Sequence, residues 1–179
     1  MAISAFVAAW FIHLIAAASP GPAILMAARV GVTDGIKTGA CLAVGLGLGA
    51  LFWAISALFG MAILFQTLPT FMLVLKIMGG LFLIWISLQT WRHATDPLDH
   101  TPTTTQGLTP LQALKLGVMT QLANPKPAVF FGAVFVGTLP PDASMASLIA
   151  LMGVIFLNEF LCNIGVARLF SFAPIRHVY

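Results

Sequence analysis

Charge is scarce in this chain. Only 7% of its 179 residues are Asp, Glu, Lys or Arg, where a soluble domain carries about 25%. So few charges cannot cover a water-facing surface, which excludes an ordinary soluble protein. Cysteine is scarce too. Cys41 and Cys162 both fall inside apolar runs and form no C-x-x-C pair, so neither a thiol relay nor a thiolate metal site is signalled. The apolar–polar alternation of an outer-membrane barrel is missing, because the apolar runs here are continuous. No nucleophile–base arrangement is visible. Gly45, Gly47 and Gly49 lie inside an apolar run with the wrong spacing for a phosphate-cradling loop. No enzyme and no cofactor is therefore expected. The net charge of +3 is spread over eight scattered Lys and Arg residues. They flank apolar runs, as membrane topology requires, and do not suggest nucleic-acid binding. The N-terminus has neither a basic region nor a clear cleavage site, and reads as a retained first span.

What the chain has in abundance is apolar length. Hydrophobic residues make up 60%, and the mean hydropathy is +1.02. At about 20 residues per helical span, this predicts an all-α, multi-pass membrane protein with one transmembrane domain. Five spans are expected, at about 3–28, 38–65, 71–91, 110–139 and 143–172, with a polar hinge from Arg29 to Lys37 after the first. One long polar stretch, 92–109, divides the chain into two halves. Arg29 and Lys37 follow the first span, Arg92 and Lys115 flank the long loop, and Arg168 and Arg176 lie at the end of the fifth. Alternate connections thus carry the positive charge. The N-terminus is expected outside, with the hinge, the long loop and the C-terminus in the cytoplasm.

Two of these spans are interrupted. Ser19-Pro20-Gly21-Pro22 breaks the first, and Asn124-Pro125-Lys126-Pro127 breaks the fourth. Proline removes a backbone donor and cannot continue a helix ladder. Irregular backbone survives at membrane depth only where protein buries it or it lines a polar cavity. Both breaks fall about 15–17 residues into their spans, near mid-membrane at about 1.5 Å per residue. The spans run in opposite directions, so the halves read as an inverted repeat. A pair of broken spans in corresponding positions points to a substrate site.

Lys126 and Glu159 are the deepest charges. Ionisable residues inside spans face a cavity or a partner. Glu159 and Asn163 share a helix face, with Asn158 adjacent. This patch could bind an ammonium group or carry a proton; the structural alternative is a Lys126–Glu159 pair that only stabilises the bundle. His13 reads as a packed residue more readily than as a proton carrier. His93, Asp96, Asp99 and His100 are spaced too loosely among Thr and Pro to define a metal site, and a solvated linker is expected there. Trp10, Trp53, Trp85 and Trp91 need no function, and several of them could be interfacial anchors. Gly35, Gly39, Gly45 and Gly49 form two G-x-x-x-G pairs, the spacing at which helix backbones approach closely.

Ala18-Ser19-Pro20-Gly21-Pro22, the Gly35–Gly49 ladder and Asn124-Pro125-Lys126, in that order and spacing, resemble the lysine exporter and homoserine/threonine exporter (LysE/RhtB) translocators. The resemblance implies a bacterial inner-membrane exporter of amino acids or related small metabolites, driven by the proton-motive force. Its partners would be the substrate, protons and the lipid bilayer, and self-association into a homo-oligomer is left open. Pro20, Gly21, Pro22, Asn124, Pro125 and Lys126 match motif positions of the family. Glu159 and Asn163 join this substrate-binding set from their burial in an apolar run. The resemblance also implies six spans in an inverted three-plus-three repeat, of which this chain is expected to lack the last. That leaves two other readings, a non-transporting membrane scaffold and a cation or heavy-metal exporter.

Orientation can be checked with single cysteines at Ala2, Thr103 and Asp142 and an impermeant thiol reagent on intact cells. Labelling above the parent chain is expected at Ala2 and Asp142, with Thr103 protected. Labelling at Thr103 with protection at Asp142 would reverse the assignment.

Overall fold

Proline and glycine chemistry decides where the helices stop. The computed structural model describes residues 1–67, 107–135, 138–140 and 142–172, with single helical positions at 77, 81, 84, 88 and 92. Every regular element among the described residues is helical: α1 (Ile3–Ala18), α2 (Pro22–Asp34), α3 (Ile36–Thr67), α4 (Pro110–Ala123), α5 (Pro125–Val129) and α6 (Met145–Phe170). Helix α5 runs directly into a π-helical turn, Phe130–Phe135.

The first break lies between α1 and α2, whose axes bend by 54°. Ser19 precedes Pro20 and is extended, with φ −70° and ψ 142°, as the proline ring demands of its predecessor. The Ser19 N–H donates back to Ile15 O and Ala16 O, closing α1. Pro22 opens α2 at its first turn, where a missing donor costs nothing. The second break is Asn124, also extended before a proline. Its Oδ1 accepts from the Lys126 N–H at 3.0 Å and caps α5.

The first hinge differs from the expected one. Helix α2 continues through Arg29 to Asp34, and only Gly35 separates it from α3. Gly35 has φ 80°, a left-handed value that favours glycine, and nothing lies within 4 Å of a Cβ placed there. It turns the chain and does not mediate the helix packing expected of it. Beyond α3, the expected span at 71–91 falls outside the described residues except for Ile77, Leu81, Ile84 and Leu88, which are helical and exposed. The long loop is described only at Arg92 and 107–109. Its end is tied down: Asp34 Oδ1 accepts from the Leu108 N–H at 2.7 Å. Thr109 then forms a capping box with Gln112 at the start of α4.

The stretch Ile36–Gly60 of α3 and the whole of α6 are long and apolar enough to cross a membrane, and α1 with α2 qualifies as one bent span. Helix α4 has 14 residues, about 21 Å, and reaches bilayer length only together with α5 and the π turn.

Glycines set the helix spacing. At the α3–α4 crossing, a Cβ on Gly45 would stand 2.2 Å from Leu114 O, and one on Gly117 would stand 2.3 Å from Leu42 O. Gly39 on α3 and Gly31 on α2 both abut Ala167 of α6. Gly49 makes room for Gln121, whose Cβ would lie 2.6 Å from an added Cβ. The apolar core is in two parts. Ala9, Ala50, Ala54, Phe130, Phe131, Leu139, Leu151 and Ile155 form one; Ala23, Ala27, Val30, Leu42, Leu46 and Ala113 form the other. The buried polar residues His13, Gln121, Asn124, Asn158, Glu159 and Asn163 fall between these clusters along α1, α4 and α6. A polar layer is thus enclosed by two apolar ones.

The backbone contact at the α3–α4 crossing yields a stability prediction. Gly45→Ala and Gly117→Ala should each destabilise by about 1–3 kcal/mol, as overpacking does. Gly153→Ala, on α6 with nothing within 4 Å, should be neutral or stabilising by up to about 1 kcal/mol. Thermal unfolding in detergent checks the ranking, and equal effects at all three positions would contradict it.

Candidate functional site

Lys126 reaches from the second break to the first. Its Nζ donates to Ala16 O at 3.0 Å, to Ser19 O at 2.9 Å and to Ser19 Oγ at 3.1 Å. The last carbonyls of a helix have no intrahelical donor and carry the negative end of its dipole. An ammonium group satisfies both conditions. Ser19 Oγ also donates to Ala16 O at 2.8 Å, which orders the end of α1 around the lysine. Gly21 lies alongside, where an added Cβ would stand 3.4 Å from Nζ.

The direct Lys126–Glu159 pair, the structural alternative weighed from the sequence, is not formed. The reason is local. Lys126 sits in the first turn of α5, facing the carbonyl end of α1, and three oxygens there take its protons. Glu159 has other neighbours. Its Oε1 lies 3.9 Å from His13 Nε2. Its Oε2 accepts from Asn163 Nδ2 at 3.2 Å, and Asn163 Nδ2 also donates to the Glu159 carbonyl at 2.8 Å. The Gln121 side chain stands beside the same carboxylate. Lys126 and Glu159 nevertheless line one space, together with His13, Ala16, Pro127, Phe130 and Phe131. Its volume is about 10 Å³, room for one water molecule at most. The helices must separate before a small metabolite can enter.

The residues singled out from the sequence divide by role. Gly21, Asn124, Lys126, Glu159 and Asn163 surround the polar layer. Pro20, Pro22 and Pro125 have exposed rings, and shape the backbone without lining the space. Gly39, Gly45 and Gly49 lie at helix contacts. His13 is buried against Glu159. Its ring stacks on Phe131 and meets Phe130 edge-on, each at 5.5 Å. The π turn widens the helix so that these consecutive phenylalanines both face it. Three members of the layer leave a buried polar atom without a partner: Gln121 Oε1, Asn163 Oδ1 and Asn124 Nδ2. An unmade buried hydrogen bond costs about 1–3 kcal/mol, so these atoms favour a polar guest.

Sequence reasoning missed Gln121, Ser19 and the role of the tryptophans. Trp10 Nε1 donates to Asn158 Oδ1 and Trp53 Nε1 donates to Gln121 O, both at 3.2 Å. These two indoles therefore also tie helices together, a role the sequence did not suggest for them. A usable signal for Gln121 was its place in an apolar run, three residues before Asn124. His93, Asp96, Asp99 and His100 lie outside the described residues. Among the described residues, no group of three or more His, Cys, Asp or Glu side chains is placed to hold a metal ion.

Comparison with known proteins follows the same residues. The LysE type translocator family matches residues 14–177. The chain is 26% identical over 174 residues to the threonine efflux protein of Salmonella typhi, covering 94% of this chain and 82% of that protein. It is 29% identical over 144 residues to the leucine efflux protein of Enterobacter sp. (strain 638), covering 77% and 63%. It is 28% identical over 149 residues to the homoserine/homoserine lactone efflux protein of Salmonella typhi, covering 81% and 71%. No solved structure matches the chain. The family match takes in both breaks, the glycine ladder, Lys126 and Glu159, and the chain belongs to the LysE type translocators.

Proposed function

We propose that this chain exports amino acids or closely related small metabolites across the bacterial inner membrane, coupled to the proton-motive force. The observation that carries the proposal is the Lys126 ammonium seated on the carbonyl end of α1. That seat fits a primary ammonium group, and Lys126 stands where the substrate's own would bind. An amino acid brings both charges needed for an exchange. Its carboxylate draws Lys126 away from α1, and its ammonium takes the freed carbonyls of Ala16 and Ser19. Glu159, across the same space, receives the ammonium or the coupling proton. Asn124, Asn163 and Gln121 supply further polar atoms. Broken helices at mid-membrane suit such a zwitterion, because their ends present opposite partial charges. The similar threonine, leucine and homoserine efflux proteins support the substrate class. In this reading the N-terminus is external, and the chain works as a multi-pass domain in which α1 and α2 form one span.

Cells expressing the chain should survive amino acids or dipeptides that inhibit control cells. Protection against a metal cation instead would favour a metal exporter, and no protection would favour a scaffold. Lys126→Gln and Glu159→Gln should each accumulate in the membrane yet export roughly tenfold less or lower, the range for losing a hydrogen bond to a charged group. Wild-type export by both variants would remove the exchange from the mechanism.

A further inference from the structure

Around His13 the hydrogen-bond partners determine where the ring proton sits. Trp10 Nε1 can only donate, and it meets Asn158 Oδ1 at 3.2 Å. The other arm of the Asn158 amide, Nδ2, faces Trp10 O at 3.4 Å and His13 Nδ1 at 3.2 Å. Flipping the amide would set its NH2 against the indole N–H and its oxygen against a carbonyl, losing both bonds. The amide orientation is therefore settled by Trp10. Nδ2 carries two hydrogens, one for Trp10 O and one for His13. His13 Nδ1 must accept the second, so the ring proton lies on Nε2. That nitrogen is the one 3.9 Å from Glu159 Oε1. Phe130 and Phe131 hold the ring from two sides, which opposes a flip that would exchange the nitrogens.

We infer that Trp10, Asn158 and His13 form a directed chain of donors that ends on Glu159, and that His13 is a positioning residue for that carboxylate. Indole N–H to amide oxygen, amide N–H to Nδ1, and Nε2–H toward Oε1 all point the same way. The Oε2 side of Glu159 already accepts from Asn163. The Gln121 side chain on α4 also bonds the carboxylate, and His13 Nε2 faces Oε1 from 3.9 Å, beyond direct hydrogen-bond length. The other titratable groups near Glu159 are Lys126 on α5 and Cys162 on α6. Neither donates to it in this arrangement. Glu159 is thereby the member of the layer set up to exchange a proton or a substrate ammonium, while His13 keeps its own proton and orients the acceptor. The tautomer stands on geometry alone; its consequence for transport rests on the exporter reading.

Histidine 15N NMR on the full chain in lipid tests the tautomer directly. The sequence has four histidines, and a His13→Gln variant identifies the His13 signals by their loss. The expected spectrum near neutral pH has a bare Nδ1 and a protonated Nε2. A proton on Nδ1 would overturn the inference. Asn158→Asp, which offers Nδ1 an acceptor in place of a donor, should move a proton onto Nδ1, and an unchanged spectrum would also count against the chain. Export separates the functional part. Gln at position 13 places an N–H donor near the Nε2 site, and Asn places one near the Nδ1 site. His13→Gln should export about threefold faster than His13→Asn, the low end for a hydrogen bond, since Nε2 stands 3.9 Å from Oε1. Equal or reversed rates would refute the positioning role. If wild type exports nothing, the exporter reading fails while the spectrum still decides the tautomer.

Discussion

One ammonium group joins the two interruptions of this fold. Lys126 leaves the second broken helix and ends on the carbonyls of the first. Without it, the part-buried Ser19 carbonyl would lose its ammonium donor, and an unpaired polar group away from water is costly. Without the break at Ser19–Gly21, those carbonyls would be spent inside a continuous helix. Each break therefore needs the other. The glycine contacts serve the same arrangement, because α3 can bring α4 and Gln121 inward only where Gly45 and Gly49 carry no side chain.

The layered order of the helices follows from that constraint. Along α6, Leu151 and Ile155 lie in one apolar cluster, Asn158, Glu159 and Asn163 come next, and Val166 packs against the other cluster. Helices α1 and α4 repeat the alternation with His13 and with Gln121 and Asn124. A buried layer of this kind is unfavourable to build unless its members bond to one another. Here most do, through Trp10, Asn158, His13, Glu159 and Asn163. The buried polar atoms left over are Gln121 Oε1, Asn124 Nδ2 and Asn163 Oδ1, all in the same layer.

Local chemistry was legible in the sequence, and long-range partnership was not. Pro20 and Pro125 act on their own backbone and on the residue before, so both breaks could be placed from composition alone. The run of apolar residues likewise announced α3 and α6. The continuation of α2 through Arg29–Asp34 was hidden, because polar residues at the end of an apolar run look like a loop until Asp34 is seen bonded to Leu108. The partner of Lys126 was hidden for another reason. Charge complementarity suggests Glu159, but the carbonyl oxygens of Ala16 and Ser19 have no signature in a one-letter code. The π turn that brings Phe130 and Phe131 together over His13 leaves no sequence mark either. The bonds of Trp10 and Trp53 were hidden because an indole N–H donor does not name its partner in the sequence.

The account rests on Lys126 binding the end of α1, and a double-mutant cycle measures that bond directly. Ser19→Ala removes the hydroxyl from the lysine's set of acceptors, and Lys126→Gln removes the ammonium. Unfolding free energies in detergent would be measured for the parent, both single variants and the double variant. If the groups bond as described, the two variants couple by about 1–3 kcal/mol, although Ser19→Ala keeps a cost of its own from the lost bond to Ala16 O. Additivity of the two effects within about 0.5 kcal/mol would contradict the seat described here, in which Nζ lies 3.1 Å from Ser19 Oγ at the end of α1.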